Sequence, residues 1–158
     1  MHHLRQSLLV AAAIGCAASQ IGVAFQAPAP AVKVCSLLSQ AEVRKLIGGS
    51  TAMDKLYKPE EEAVAGGSSC NYPDVLIQVI PFRQSTIDTV RKRGGLEAVS
   101  GVGEEAYLYD NRGNYAEMYV KVGPHLLTLQ RSIGMGQTLA SVRSGVIDLA
   151  KALVVKLR

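Results

Sequence analysis

Tyr107, Tyr109, Tyr115 and Tyr119 are the residues whose type and spacing offer the most chemistry. The chain has six Tyr against two Phe and no Trp, so its aromatic surface carries hydroxyls. Four of the six fall on two neighbouring strand patterns and can share one sheet face. Such a face suits a protein, a glycan or an apolar ligand, because each ring offers an apolar body and a polar tip. The alternative is ordinary cross-strand pairing with the hydroxyls reaching solvent at a sheet rim.

Candidates for catalysis are few. His125 is the only histidine outside the first three residues. It could act as a general base with Glu104 or Glu105, but no Ser or Cys motif pairs with it. No Gly-x-Ser-x-Gly, His-Glu-x-x-His or phosphate-loop pattern is present. Gly101-Val102-Gly103-Glu104-Glu105-Ala106 fits the loose dinucleotide pattern, yet a strand follows it where a helix is needed, and its two carboxylates would repel a pyrophosphate. A glycine turn that launches a strand is the better reading. Arg91-Lys92-Arg93 reads as helix-end dipole complementarity, or as an anion-binding patch. Glu60-Glu61-Glu62 reads as a solvated acidic loop, since three consecutive carboxylates diverge too much to hold a hard cation. No metal and no cofactor is expected.

Cysteine arithmetic says more. Cys16 lies in a leader-like segment, which leaves Cys35 and Cys70 as an even pair with no Cys-x-x-Cys spacing. In an oxidising compartment the default is one disulfide; two buried free thiols are the alternative.

The elements that must position these groups read as α+β with an antiparallel sheet. Ser39-Gln40-Ala41-Glu42 is a capping box opening a short helix that Gly48-Gly49 stop. Residues 51–67 are polar and ambiguous; Pro59 with the three glutamates is either a helix start or an acidic loop, and Gly66 to Ser69 is loop. Cys70 to Tyr72 is a strand ending at the Pro73-Asp74 turn. Val75 to Phe82 is the strongest strand, apolar on both sides and therefore central. A middle helix capped at Ser85-Thr86 runs to Arg93 and stops at Gly94-Gly95. Three strands follow in a meander: Glu105 to Asp110, Tyr115 to Val122, and His125 to Ser132. In the second, Ala116, Met118, Val120 and Val122 face inward, while Tyr115, Glu117, Tyr119 and Lys121 face water or a groove. Gln137 to Arg158 is a long amphipathic helix, apolar at Leu139, Val142, Val146, Leu149, Leu153 and Leu157, which packs on the sheet.

Ahead of this domain stands an address. Met1 to Ala27 has the form of an export signal, with Arg5 in a basic start and Ser7 to Ala18 as a short apolar stretch. Gly22-Val23-Ala24 offers a cleavage site. Ala13-Ile14-Gly15-Cys16 resembles a lipobox with Ala13 where Leu is usual, so plain cleavage is favoured over lipidation of Cys16. Residues 28–34 are a Pro/Ala linker, and 35–158 form one domain. The net charge of +4 falls to +3 when Arg5 leaves with the leader, too little to imply a nucleic-acid partner.

The stretch from Cys35-Ser36-Leu37-Leu38 to Leu46-Ile47-Gly48, then Cys70-Asn71-Tyr72 before a Val/Ile strand, then Val102-Gly103-Glu104-Glu105-Ala106-Tyr107 before a hairpin, resembles a family of small secreted bacterial proteins and lipoproteins of unknown function. The resemblance spans nearly all of 35–158. It implies an exported α+β domain with the cysteine pair bridged, and it supplies no activity or catalytic residue. The expected function is an exported, periplasmic or secreted, non-catalytic domain that binds an envelope protein or a small ligand. Membrane contact is expected only if Cys16 carries lipid. The alternative is an envelope hydrolase using His125.

Overall fold

The capping box at Ser39 forms as the sequence dictates. The Ser39 side chain accepts from the Glu42 amide, and the Glu42 carboxylate accepts from the Ser39 amide at 2.7 Å. Helix α1 (Gln40–Ile47) follows and buries Val43 and Ile47. The computed structural model describes residues 32–49 and 52–158. The segment read as an export signal, the expected cleavage site, Cys16 and most of the expected linker lie outside the described residues. The linker's last residues belong to the domain: Val34 is fully buried and opens a short 3-10 turn, Val34–Ser36.

Next come a short helix α2 (Ala52–Leu56), strands β1 (Glu60–Val64), β2 (Gly67–Tyr72) and β3 (Val75–Pro81), and helix α3 (Gln84–Arg91). After them run β4 (Leu96–Ala98), β5 (Glu105–Asn111), β6 (Tyr115–Val122), β7 (His125–Ser132) and helix α4 (Leu139–Leu157). The seven strands form one antiparallel sheet in the order β1-β2-β3-β7-β6-β5-β4. Two meanders, β1 to β3 and β4 to β7, meet where β7 lies beside β3. The fold class is α+β.

Several boundaries differ from the sequence reading. The three glutamates are neither helix nor loop but the edge strand β1, paired with β2 by Glu60↔Asn71 to Val64↔Gly67. Carboxylates on an edge strand discourage pairing with a second chain. Gly67 to Ser69 belong to β2 because Ser68 and Ser69 pair with Val79 and Gln78. The meander has a fourth strand, β4, too short to carry a periodic signal. Helix α3 starts after Arg83 without a side-chain cap, two residues earlier than the Ser85-Thr86 signal, and ends at Arg91. Helix α4 begins at Leu139 because Thr138 and Ser141 cap it reciprocally.

Alternation sets the two faces. Ile77, Leu127, Leu129, Met118 and Leu108 point to one side, where α4 and α1 cover them in the main core. Crossing of α1 and α4 requires Gly145, where a Cβ would stand 2.7 Å from the Leu46 carbonyl oxygen. The Gly101-Val102-Gly103 turn launches β5, as read; Gly103 has φ +62°, and a Cβ there would meet the Lys121 carbonyl oxygen at 2.5 Å. On the opposite face α3 lays Ile87 and Val90 against Tyr119 and Leu126, a small second core.

The Cys35–Cys70 disulfide is formed, with the Cα atoms 5.1 Å apart. It ties the 3-10 turn to β2. Glu61 and Ser68 finish the latch. The Glu61 carboxylate accepts from the Val34 amide at 2.7 Å and from the Ser68 hydroxyl at 2.8 Å.

Candidate functional site

Register places all four tyrosines on one face. Tyr107 stands opposite Tyr119, Tyr109 opposite Glu117, and Tyr115 opposite Asn111. This is the face away from α4, and it is not an open platform. Tyr119 is 8% exposed under α3, Tyr107 is half-buried beside it, and the Tyr109 ring sits against Gly95. Tyr115 alone of the four is exposed, at 38%. The outward side of β6 is correspondingly drier than alternation suggested, with Glu117 only 6% exposed.

The basic run explains the covering. Arg91 and Arg93 each cross from the end of α3 to a Glu-x-Tyr pair on the sheet. The Arg91 Nε donates to the Tyr107 hydroxyl at 2.9 Å, and its guanidinium pairs with Glu105. The Arg93 guanidinium donates to the Tyr119 hydroxyl at 2.8 Å and lies 3.5 Å from Glu117. Tyr119 in turn donates to Glu117 at 2.6 Å. Burial, reinforced by the neighbouring Glu117 carboxylate, pushes the Tyr119 hydroxyl up to about 12. Arg91 stands in the last turn of α3, as the dipole reading expects, and both arginines also engage sheet carboxylates, which leaves neither as a free anion-binding charge.

Where α3 ends, the sheet face opens into a groove of about 370 Å³. Its floor carries Leu76 and Gln78 from β3, Thr128 and Gln130 from β7, Glu117 and Tyr119 from β6 and Asn111 from β5, with Arg93 as a wall. Glu117 is fully satisfied. Its Oε1 accepts from Asn111 at 2.8 Å and from Gln130 at 3.5 Å, while its Oε2 accepts from Tyr119 and Arg93. The side chains of Gln78 and Thr128, opposite each other across β3 and β7, make no hydrogen bond among the described residues. A charge-balanced carboxylate therefore sits beside half-buried donors and acceptors that remain free to bind. The volume lies at the small end of the usual range for ligand sites, about 300–1,000 Å³.

His125 and Glu105 do not come together, and Glu104 is engaged elsewhere. Register puts His125 on the α4 face with Val122, whereas Glu105 shares the other face with Lys121. Glu105 is held by Arg91. Glu104 pairs with Lys121 at 2.7 Å and accepts from the Gly123 amide, contacts that hold its carboxyl below the usual carboxylate range. Among the described residues no group of three His, Cys, Asp or Glu could hold a metal ion.

A second hollow, about 470 Å³, lies between α2 and the β2–β3 turn, with Leu56 and Tyr57 exposed along it. Beside it Arg44 is buried and bridges Asp54 at 2.7 Å and Asp74 at 2.9 Å. The hydrogen bond from Arg44 holds the Asp54 carboxyl below its ordinary value. Arg131 is buried on the α4 face, its guanidinium donating to the Ser132 carbonyl, and burial lowers its pKa.

Sequence reasoning found Tyr119 but missed Gln78, Thr128, Gln130, Asn111 and Glu117 as a group. The available signal was alternation: Gln78 interrupts an apolar strand, and Thr128 and Gln130 alternate with Leu127 and Leu129. No family model, no curated protein and no solved structure matches this chain. Among the described residues no helix is long and apolar enough to cross a membrane.

Proposed function

We propose that this protein is an exported, non-catalytic envelope domain, belonging with the small secreted bacterial proteins it resembles, that binds a small ligand in the groove beside Tyr119. One observation carries the reading. Among the described residues the half-buried Gln78 and Thr128 side chains make no hydrogen bond, next to Glu117, whose own bonds are complete. Their polar atoms are open to solvent and so available to an incoming ligand. Gln78 and Thr128 open into the same concavity as Asn111, Gln130 and Glu117, so a ligand entering it meets these side chains together.

Export is supported by the leader pattern and by the Cys35–Cys70 bond, which belongs to an oxidising compartment. Cleavage after Ala24 fits better than lipidation at Cys16, so the domain is released into the periplasm or medium. Mass spectrometry of the protein purified from its own host tests the reading. The expected result is a chain lacking the leader, with Cys35 and Cys70 oxidised and a small molecule released on denaturation. An uncleaved chain with reduced thiols would overturn export, and a ligand-free protein taken directly from the envelope would overturn binding.

A further inference from the structure

We infer that the groove's ligand is a neutral polyhydroxylated molecule, a sugar in chemical class; the inference rests on the groove being the binding site. Charge gives the first argument. The groove holds one carboxylate, Glu117, and one guanidinium, Arg93, 3.5 Å apart. An anionic ligand gains Arg93 but meets the buried Glu117 charge, and a cationic one meets the reverse. A neutral ligand meets neither repulsion and leaves the four bonds to Glu117 intact.

Hydrogen-bonding capacity gives the second. Gln78 presents an amide oxygen and an amide nitrogen, Gln130 an amide oxygen and the second N–H of an amide that already donates to Glu117, and Thr128 a hydroxyl that donates and accepts. These three lie side by side on β3 and β7, Gln78 opposite Thr128 and Gln130 opposite Leu76. A sugar hydroxyl also donates and accepts, so adjacent hydroxyls satisfy such a row without a fixed order of donors. A hydroxyl matches water in donating and accepting, so it suits side chains that face solvent.

Topology gives the third and disfavours a peptide. An extended peptide is read through its backbone at a sheet edge. Most of the groove floor is β3, β7 and β6, interior strands paired on both sides, while β5 contributes Asn111, just past the end of its pairing with β4. Over β3, β7 and β6 only side chains can read the ligand.

The test is a titration of the isotope-labelled, disulfide-bonded domain followed by NMR at the Gln78 and Gln130 side-chain amides. The probes are methyl glycosides of neutral hexoses, a neutral disaccharide, glucuronic acid, glucosamine and the dipeptide Ala-Ala, each into the millimolar range. Neutral sugars are expected to shift both amides. Gln78→Ala and the isosteric Thr128→Val, each at a half-buried position, are expected to weaken binding by about tenfold without altering the rest of the spectrum. Shifts from the charged or peptide probes alone overturn the ligand class. Shifts that persist unchanged in both variants, or no shift from any probe, overturn it as well. The same labelled protein titrated with the small-molecule fraction of its host envelope separates the two readings: groove shifts there keep the site and discard the sugar, and their absence discards both.

Discussion

Removing the Cys35–Cys70 bond is a perturbation whose size follows from the chain. The two residues are 35 apart in sequence. Closing a loop of that length removes unfolded-state entropy equivalent to about 4 kcal/mol at 25 °C. Single domains have about 5–15 kcal/mol in total, so the bond supplies a large share of the margin. The described domain lies between the sizes for which 1 kcal/mol moves the melting temperature by about 4–8 °C and by about 2–4 °C. A fall of roughly 12–20 °C is therefore expected on reduction. Calorimetry of the oxidised protein, with and without a phosphine reductant, measures it. Cys35→Ala/Cys70→Ala is the control and should melt with the reduced protein, insensitive to reductant. Cys70 lies on the core face of β2, beside Ile77, while the groove lies on the other face. The reduced protein should thus keep its groove while it remains folded. A fall of less than about 3 °C would refute the reasoning, since the latch would then constrain nothing that the unfolded chain explores.

Three further outcomes are expected. Tyr119→Phe removes the hydroxyl linking Arg93 to Glu117 and should cost about 1–2 kcal/mol in urea unfolding; because Tyr72 and Tyr119 both have pKa values raised to about 12 in the fold, stability should decline as pH rises from about 10 toward 12, and less in this variant. Gly145→Ala gains helix propensity but drives a methyl group into the Leu46 carbonyl, so thermal melting should show a net loss of about 1–3 kcal/mol; a stabilised variant would contradict the described crossing of α1 and α4. Asp54 and Glu104 are held below their ordinary pKa values by Arg44 and Lys121, so their contribution is present above about pH 4 and is lost as pH falls through the lowered values; Arg44→Ala should flatten that acid limb in a pH series of denaturant midpoints.

Legibility varied with the kind of signal. The capping box at Ser39, the strand from Val75, the hairpin turning at Asn111 to Asn114 and the long C-terminal helix were readable because each rests on local chemistry or on a sustained period. The disulfide followed from there being two cysteines beyond the leader-like segment. What failed depends on distant partners. Glu60 to Glu62 read as solvated loop because carboxylates are poor strand formers, yet β2 offers them a complete ladder. The shared tyrosine face was correctly placed by alternation, but its covering was invisible, since nothing local says that Arg91 and Arg93 reach Glu105 and Glu117 across the sheet. The His125 pairing with Glu105 failed because side-chain parity, fixed only by register, puts them on opposite faces. The groove was missed for the same reason. Gln78, Thr128 and Gln130 become neighbours only when β7 returns to pair with β3.

The central claim is that the groove beside Tyr119 is a ligand site. A crystal structure of the protein purified from its own host, without additives that could fill the groove, tests it most directly. The account predicts a bound small molecule within hydrogen-bond reach of Gln78, Thr128 and Gln130, with the Arg93, Tyr119 and Glu117 contacts unchanged. A groove filled only by water, with a ligand seated instead against Leu56 and Tyr57, would contradict it.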